Sequence, residues 1–514
     1  MRLLQLADRI GWDLVISLKL GLRGFQFSAD HPRPGLAKVF LILLLTFTLW
    51  HPLLPPKIRH ANLPAPPHRA KLLGLKAWGE PERKYGCILT PVHMNGIRTR
   101  RGFFEWTRGL LAVGGLASQA LPLRSAPAPR DPAEDGQDYY DKLGVTKIIN
   151  AAGTYTILTA STMPPSVQAA VARAAKHPVR LIELQKAAGE YLAGKLHCEA
   201  AMVTAGAASA LTLGTAACMT VANQSASHDM PTDMAGLKNE VIVQKAHRYG
   251  YDHALRNCGI RFVEVETLAD YDAGFTGRTV MAHFFNAAEA GQIGREEWIR
   301  VAHKHGVPCF NDAAADVPPI SNLWNYTHMG FDLVTFSGGK GIRGPQNTGL
   351  LLGRKDLIAA AVANNCPFDD CVGRGMKVAK EQIVGMVAAV DWFLSQSEEA
   401  MQAEFQRRAD RIAGHLKDVP TLQSRIVVPP VANQVPHLLI HYDQQRVKIS
   451  PLAVAVQLRR GTPSIELNPA TGVNEGSAGL PSDANTIVVG VWMLEPGEDM
   501  IVARRLRDVL TNAI

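Results

Sequence analysis

Repeats, membrane-length apolar runs and metal-site spacings are all missing from this 514-residue chain. The lack of any repeat excludes a solenoid or a propeller. The strongest apolar run, Val39 to Trp50, is 12 residues long, well short of the roughly 20 that a membrane-spanning helix needs. Cysteine is sparse, and none of the seven sits with histidines at the spacing of a zinc site. Cys87 falls in a doubtful leader. The other six, Cys198, Cys218, Cys258, Cys309, Cys366 and Cys371, are an even number that permits disulfides without demanding them, and Cys366 and Cys371 are close enough in the chain to pair.

An excess of positive charge is also missing from most of the chain, despite a formal net charge of +8. Residues 1–130 hold 19 Lys and Arg against 6 Asp and Glu, while the rest holds 35 against 40. A slightly acidic body is a poor general platform for a phosphate backbone, which argues against nucleic acid, transfer RNA included, as a partner. With 47% hydrophobic residues, the composition is that of a large globular enzyme of two or more domains.

What is present starts with Lys340. The apolar run Leu333-Val334-Thr335-Phe336 stops at Ser337, two glycines and this lysine, the pattern of a buried strand that delivers one amine into a loop. Burial lowers an ammonium's pKa and frees a nucleophilic amine near neutral pH. A second apolar strand, ending at Asn311-Asp312 before three alanines, offers a carboxylate in the same way. Alone, Asp312 also reads as a helix cap and Lys340 as an ordinary loop lysine. Together, in this order, they suit pyridoxal 5′-phosphate: the lysine bonds the aldehyde, and the acid keeps the pyridine nitrogen protonated.

A phosphate seat is expected at Gly206-Ala207-Ala208-Ser209, where small residues let backbone N–H groups approach an anion as a helix begins. Ser337 adds a second hydroxyl. His247 follows another apolar strand, Val241-Ile242-Val243, and is the candidate to stack on the pyridine ring or shuttle a proton.

From about Tyr139 to the C-terminus the chain resembles a fold-type I pyridoxal phosphate enzyme of the group that includes selenocysteine synthase (seryl-tRNA selenium transferase) and D-glucosaminate-6-phosphate ammonia-lyase. The resemblance rests on Ile148 to Thr154, the phosphate-seat run, Asn311 to Ala315, Ser337 to Gln346 with its Gly344-Pro345-Gln346 ending, and Gly373 to Lys380. The ammonia-lyase branch is the nearer, through Gly189 to Ala193 and His247 to Tyr251. The resemblance implies a homodimer or higher homo-oligomer, with Gly344 to Gln346 near a neighbouring subunit's coenzyme. It also implies that Arg374 and Lys377 meet an anionic substrate, as an i, i+3 pair on one helical face would. Arg343 stands where the relatives are expected to be acidic or apolar, and joins them as a substrate-binding candidate.

The pattern of elements predicts an α/β fold: a large domain over 137–395 with a mainly parallel sheet, and a smaller α+β domain over 396–514. Upstream, Thr99-Arg100-Arg101-Gly102-Phe103-Phe104 precedes an apolar, glycine-rich stretch and a chain rich in Ala, Pro and Ser. That resembles a twin-arginine export signal over 94–136, with Met94 as the initiator and residues 1–93 as an upstream extension, partly disordered through its Pro-rich part. The expected location is the periplasm or beyond, with the cytoplasm as the alternative; contact with a membrane is expected only through export.

The function these readings point to is a lyase that deprotonates Cα of an amino acid or amino-sugar acid, expels a β-substituent and releases ammonia, with Lys340, Asp312 and His247 catalytic and no metal. The alternatives are selenium transfer onto seryl-tRNA and a noncatalytic exported binding protein of the same fold.

Overall fold

Among the described residues, seven of twelve strands form one sheet, and a single strand of the seven runs against the rest. The computed structural model describes residues 136, 138–286, 293–474, 480–481 and 483–514. Apart from Gly136, the expected upstream extension and export signal lie outside them. The strands are β1 (Ile148–Ala151), β2 (Ala200–Thr204), β3 (Glu240–Gln244), β4 (Arg261–Val265), β5 (Thr279–Phe285), β6 (Cys309–Asp312), β7 (Leu333–Ser337), β8 (Gly349–Gly353), β9 (Gln423–Val427), β10 (His437–His441), β11 (Ser464–Leu467) and β12 (Thr486–Gly490).

The large sheet has the order β2-β8-β7-β6-β5-β3-β4. β8 is antiparallel to both neighbours, and every other pairing is parallel. Its central strands are covered on both faces: β6 and β8 are buried throughout. The chain is therefore an α/β protein with a mainly parallel sheet, as its pattern predicts.

The helix Ala207–Thr220 shows how residue choice sets this packing. It carries no charged side chain and is buried from Ser209 to Thr220, the behaviour of a helix apolar on all sides. At Gly214 a Cβ would collide with the ring of Phe310 on β6, so the helix lies against the sheet only because that side chain is absent.

Past Leu394 the texture changes to an antiparallel sheet, β12-β10-β9, with the helices Glu398–Leu416, Pro451–Arg459 and Glu498–Thr511. Ile440, Ile487, Val489, Leu506 and Ile412 share one core there. Ile149 and Ala151 of β1 belong to this same core, because β1 pairs in parallel with β11. A strand from the start of the described chain is thus part of the C-terminal packing. Among the described residues no helix is long and apolar enough to cross a membrane, and the six cysteines are free thiols, Cys366 and Cys371 included.

Candidate active site

In a parallel sheet the carboxyl ends of neighbouring strands share one edge, and a crevice along that edge is where ligands bind in such folds. β6 ends at Asp312 and β7 at Ser337, with Asp312 paired to Thr335 across the ladder. Lys340 follows β7 by three residues. Its loop is fixed by Gly338 N–H to the Thr348 carbonyl (2.8 Å) and Gly344 N–H to the Gly338 carbonyl (2.8 Å). At Gly339 a Cβ would strike the Gln346 backbone, and at Gly341 it would strike the Val317 carbonyl. Both glycines are required by close approach, and together they hold the lysine at the sheet edge.

Lys340 lines two cavities. The larger, about 420 Å³, is walled by Gly153, Thr156, Tyr249, Phe285, His437 and Trp492 among others. The smaller, about 170 Å³, adds Ala160, Ser337, Gln346 and Asn347. Burial pushes the Lys340 ammonium below its ordinary pKa, opposed by the negative charges of Asp312 and Asp316. Burial raises the Asp312 carboxyl, opposed by a hydrogen bond from Tyr249, one from the Ala314 N–H and the charge of Lys340. Asp312 Oδ1 accepts from Ala314 N–H at 3.0 Å, and Oδ2 accepts from the Tyr249 hydroxyl.

The expected phosphate seat, Gly206 to Ser209, lies at a helix start. Gly206 takes φ 93 at the entry to the helix Ala207–Thr220, and no side chain caps that helix start. Its first N–H groups are therefore open to an anion. Ser209 Oγ is buried with no hydrogen-bond partner among the described residues. An orphaned hydroxyl at a helix start is costly unless a ligand satisfies it. The seat abuts the lysine loop, since a Cβ at Gly349 of β8 would collide with the Gly206 backbone. These residues fit pyridoxal 5′-phosphate: Gly206, Ala207, Ala208, Ser209 and Ser337 would hold the phosphate, Asp312 the ring nitrogen and Lys340 the aldehyde carbon.

Other expected residues lie elsewhere. His247 lines neither cavity. It is 2% exposed, its Nδ1 accepts from the Phe285 N–H at 3.2 Å, and its ring stands edge-on to Phe284 at 4.5 Å. Burial pushes its pKa down to about 4. The stacking role expected of His247 does not match that position, because the 3-10 turn Lys245–His247 points the imidazole back under the sheet edge. Tyr249, two residues on, lines the larger cavity, touches Asp312 and stacks on Phe285 at 3.9 Å. The sequence held a signal for it, an aromatic beside the histidine in His247-Arg248-Tyr249, which was read only as part of the resemblance.

Arg343 does not face the Lys340 cavities either. In the left-handed region at φ 57, it donates from Nε to the Thr162 carbonyl (2.8 Å) and pairs with Glu495 at 2.5 Å. Its charge is spent on a fastener to the C-terminal part, so the expected grip on a substrate anion is not available. Arg374 lies beside Cys366 and Asp369, and neither it nor Lys377 lines a cavity shared with Lys340 in this chain. Asp316, which sequence reasoning passed over, is fully buried. It accepts from Asn286 and from Tyr326 Oη at 3.3 Å, and burial raises its pKa to about 6.

The family model described as aminotransferase class-V matches residues 267–440. The chain is 30% identical over 387 residues to a 5'-C-glycyluridine monooxygenase-decarboxylase of a Streptomyces species, covering 73% of this chain and 92% of that protein. It is 26% identical over 391 residues to a D-glucosaminate-6-phosphate ammonia lyase of Salmonella typhimurium, covering 73% and 98%. A solved structure of D-glucosaminate-6-phosphate ammonia-lyase superposes with a TM-score of 0.63 at 25% identity, over 73% of this chain and 99% of that one.

Proposed function

The chain belongs to the aminotransferase class-V family and takes pyridoxal 5′-phosphate as its coenzyme, and on that footing we propose that it is a lyase. It removes the Cα proton of an amino acid or amino-sugar acid, expels a β-substituent and releases ammonia with a 2-keto acid. When bound, the coenzyme supplies an electron sink that acidifies the Cα–H bond. Lys340 Nζ, its pKa lowered by burial, takes that proton. Asp312 holds a proton on the ring nitrogen, and Ala314 N–H and Tyr249 orient its carboxylate for the task. The walls of the cavity keep water from the reacting carbon. The single observation that carries this reading is a buried amine that lines a cavity three residues past the end of one strand, and a buried acid at the end of the adjacent parallel strand that reaches the cavity wall through Tyr249.

A domain over 137–395 holds the coenzyme in this reading, and residues 396–514 close over it. Export by the twin-arginine route, after the coenzyme is captured, remains part of the proposal, and sequencing the mature N-terminus tests it. The function itself is tested by supplying D- and L-amino acids and D-glucosaminate to the purified protein. Keto acid and ammonia in equal amounts are expected, with both products and the visible absorbance lost in Lys340→Ala. A colourless wild type that gains nothing from added coenzyme would end the proposal. A second reading, oxidative decarboxylation, is favoured by the 30% identity to the Streptomyces protein so named. Oxygen uptake with carbon dioxide release, in place of ammonia without oxygen uptake, decides for it.

A further inference from the structure

Part of the Lys340 cavity is walled by C-terminal residues, including Val431, Asn433, His437 and Trp492, and two of them, Asn433 and His437, present acceptor atoms. His437 opens β10 and is 6% exposed. Its Nδ1 lies 3.0 Å from the Val435 carbonyl. A carbonyl only accepts, so Nδ1 carries the ring proton and Nε2 is left as a bare acceptor. Burial pushes this imidazole's pKa down to about 4, so it is neutral at physiological pH. Asn433 follows the same logic: its Nδ2 donates to the Val317 carbonyl at 2.5 Å, which leaves Oδ1 to accept.

Among the described residues, no donor reaches either acceptor atom, and Lys340 is the sole Lys or Arg lining this cavity. A phosphate or second carboxylate set against these two acceptors would meet their lone pairs and no positive charge. A hydroxyl would donate to either acceptor and leave nothing unpaired.

We propose that His437 is a specificity-determining residue whose Nε2 accepts a hydrogen bond from a hydroxyl on the substrate's side chain, so that the enzyme takes amino acids with an uncharged, hydroxylated tail in preference to their phosphate esters. This rests on the lyase reading and names its substrate class.

The test titrates the holoenzyme with D-glucosaminate, D-glucosaminate 6-phosphate and D-2-aminohexanoate, following the coenzyme's visible absorbance for binding and keto acid for turnover. D-glucosaminate half-saturates at a lower concentration than its phosphate ester. His437→Leu raises that concentration roughly five- to tenfold and leaves D-2-aminohexanoate unchanged, while His437→Gln, which still offers an acceptor, recovers most of the loss. Tighter or equal binding of the ester, equal weakening of both acids by His437→Leu, or no spectral response to D-glucosaminate overturns the proposal. Should the leucine variant fail to fold, the ester comparison on wild type and the glutamine variant decide. Binding as expected without keto acid refutes the lyase reading and leaves the specificity standing.

Discussion

The two ends of β6 and β7 carry similar side chains in opposite circumstances. At the amino end, Asp332 is buried like Asp312, and burial alone would raise its pKa. Yet it is held below the usual carboxylate range by Cys309 N–H at 2.8 Å, His303 Nε2 at 2.9 Å and Arg354 at 3.0 Å. At the carboxyl end, Asp312 has a tyrosine hydroxyl and one N–H but no guanidinium, and its pKa is raised. A buried carboxylate with its charges matched fastens strands together. One left short of partners is held ready for a ligand.

The comparison is broken most severely at Lys340. Replacing it with Ala should lower turnover roughly 10³-fold or more and abolish coenzyme absorbance, with little change in thermal unfolding of the apoprotein. If catalysis survives, the carboxyl end is not the reactive one.

Exchanging the two acids is the next test. Asp312→Asn should cost roughly 100-fold in turnover while leaving apoprotein stability within about 0.5 kcal/mol. Asp332→Asn should do the reverse, costing about 2 kcal/mol in denaturant unfolding with turnover per folded molecule unchanged. Equal effects of the two on stability would erase the distinction drawn above.

Acid sharpens the picture through His247 and His437, each pushed by burial down to about 4. Their unfolded forms take up a proton near pH 6.5 and the folded ones do not. Stability is therefore complete above pH 6.5 and lost as pH falls toward 4. Each contributes a loss on the order of 2 kcal/mol at pH 5. Chemical unfolding at pH 7 and pH 5 measures the sum, and His437→Gln should remove its own share.

The smallest expected effect is at Tyr249. Phe in its place removes the hydroxyl from Asp312 Oδ2, and coenzyme affinity should change by about 1 kcal/mol, a few-fold in the dissociation constant, with the stack on Phe285 retained. A titration of apoprotein with coenzyme reads it directly.

Much of this was legible in advance for local reasons. Apolar strands that stop at Asp312 and Ser337 are written in consecutive residues, and the seat at Gly206 needs small residues wherever the helix lies. β9 and β11 carry little local signal, because one is a largely exposed edge strand with polar residues and the other is only four residues long. Arg343 was misread because a guanidinium beside the lysine looks free until Glu495, 152 residues away, is found against it.

By itself, then, the order of residues determined the α/β class and marked the candidate amine, acid and phosphate seat, since strand burial and helix starts follow from neighbours a few positions apart. Only the tertiary structure decided that Tyr249 reaches the acid while His247 lines neither cavity, that Arg343 is spent on an ion pair, and that Asn433 and His437 wall the cavity. Those outcomes depend on segments far apart in the chain packing against one another, and no local pattern records which side chain turns inward when they do.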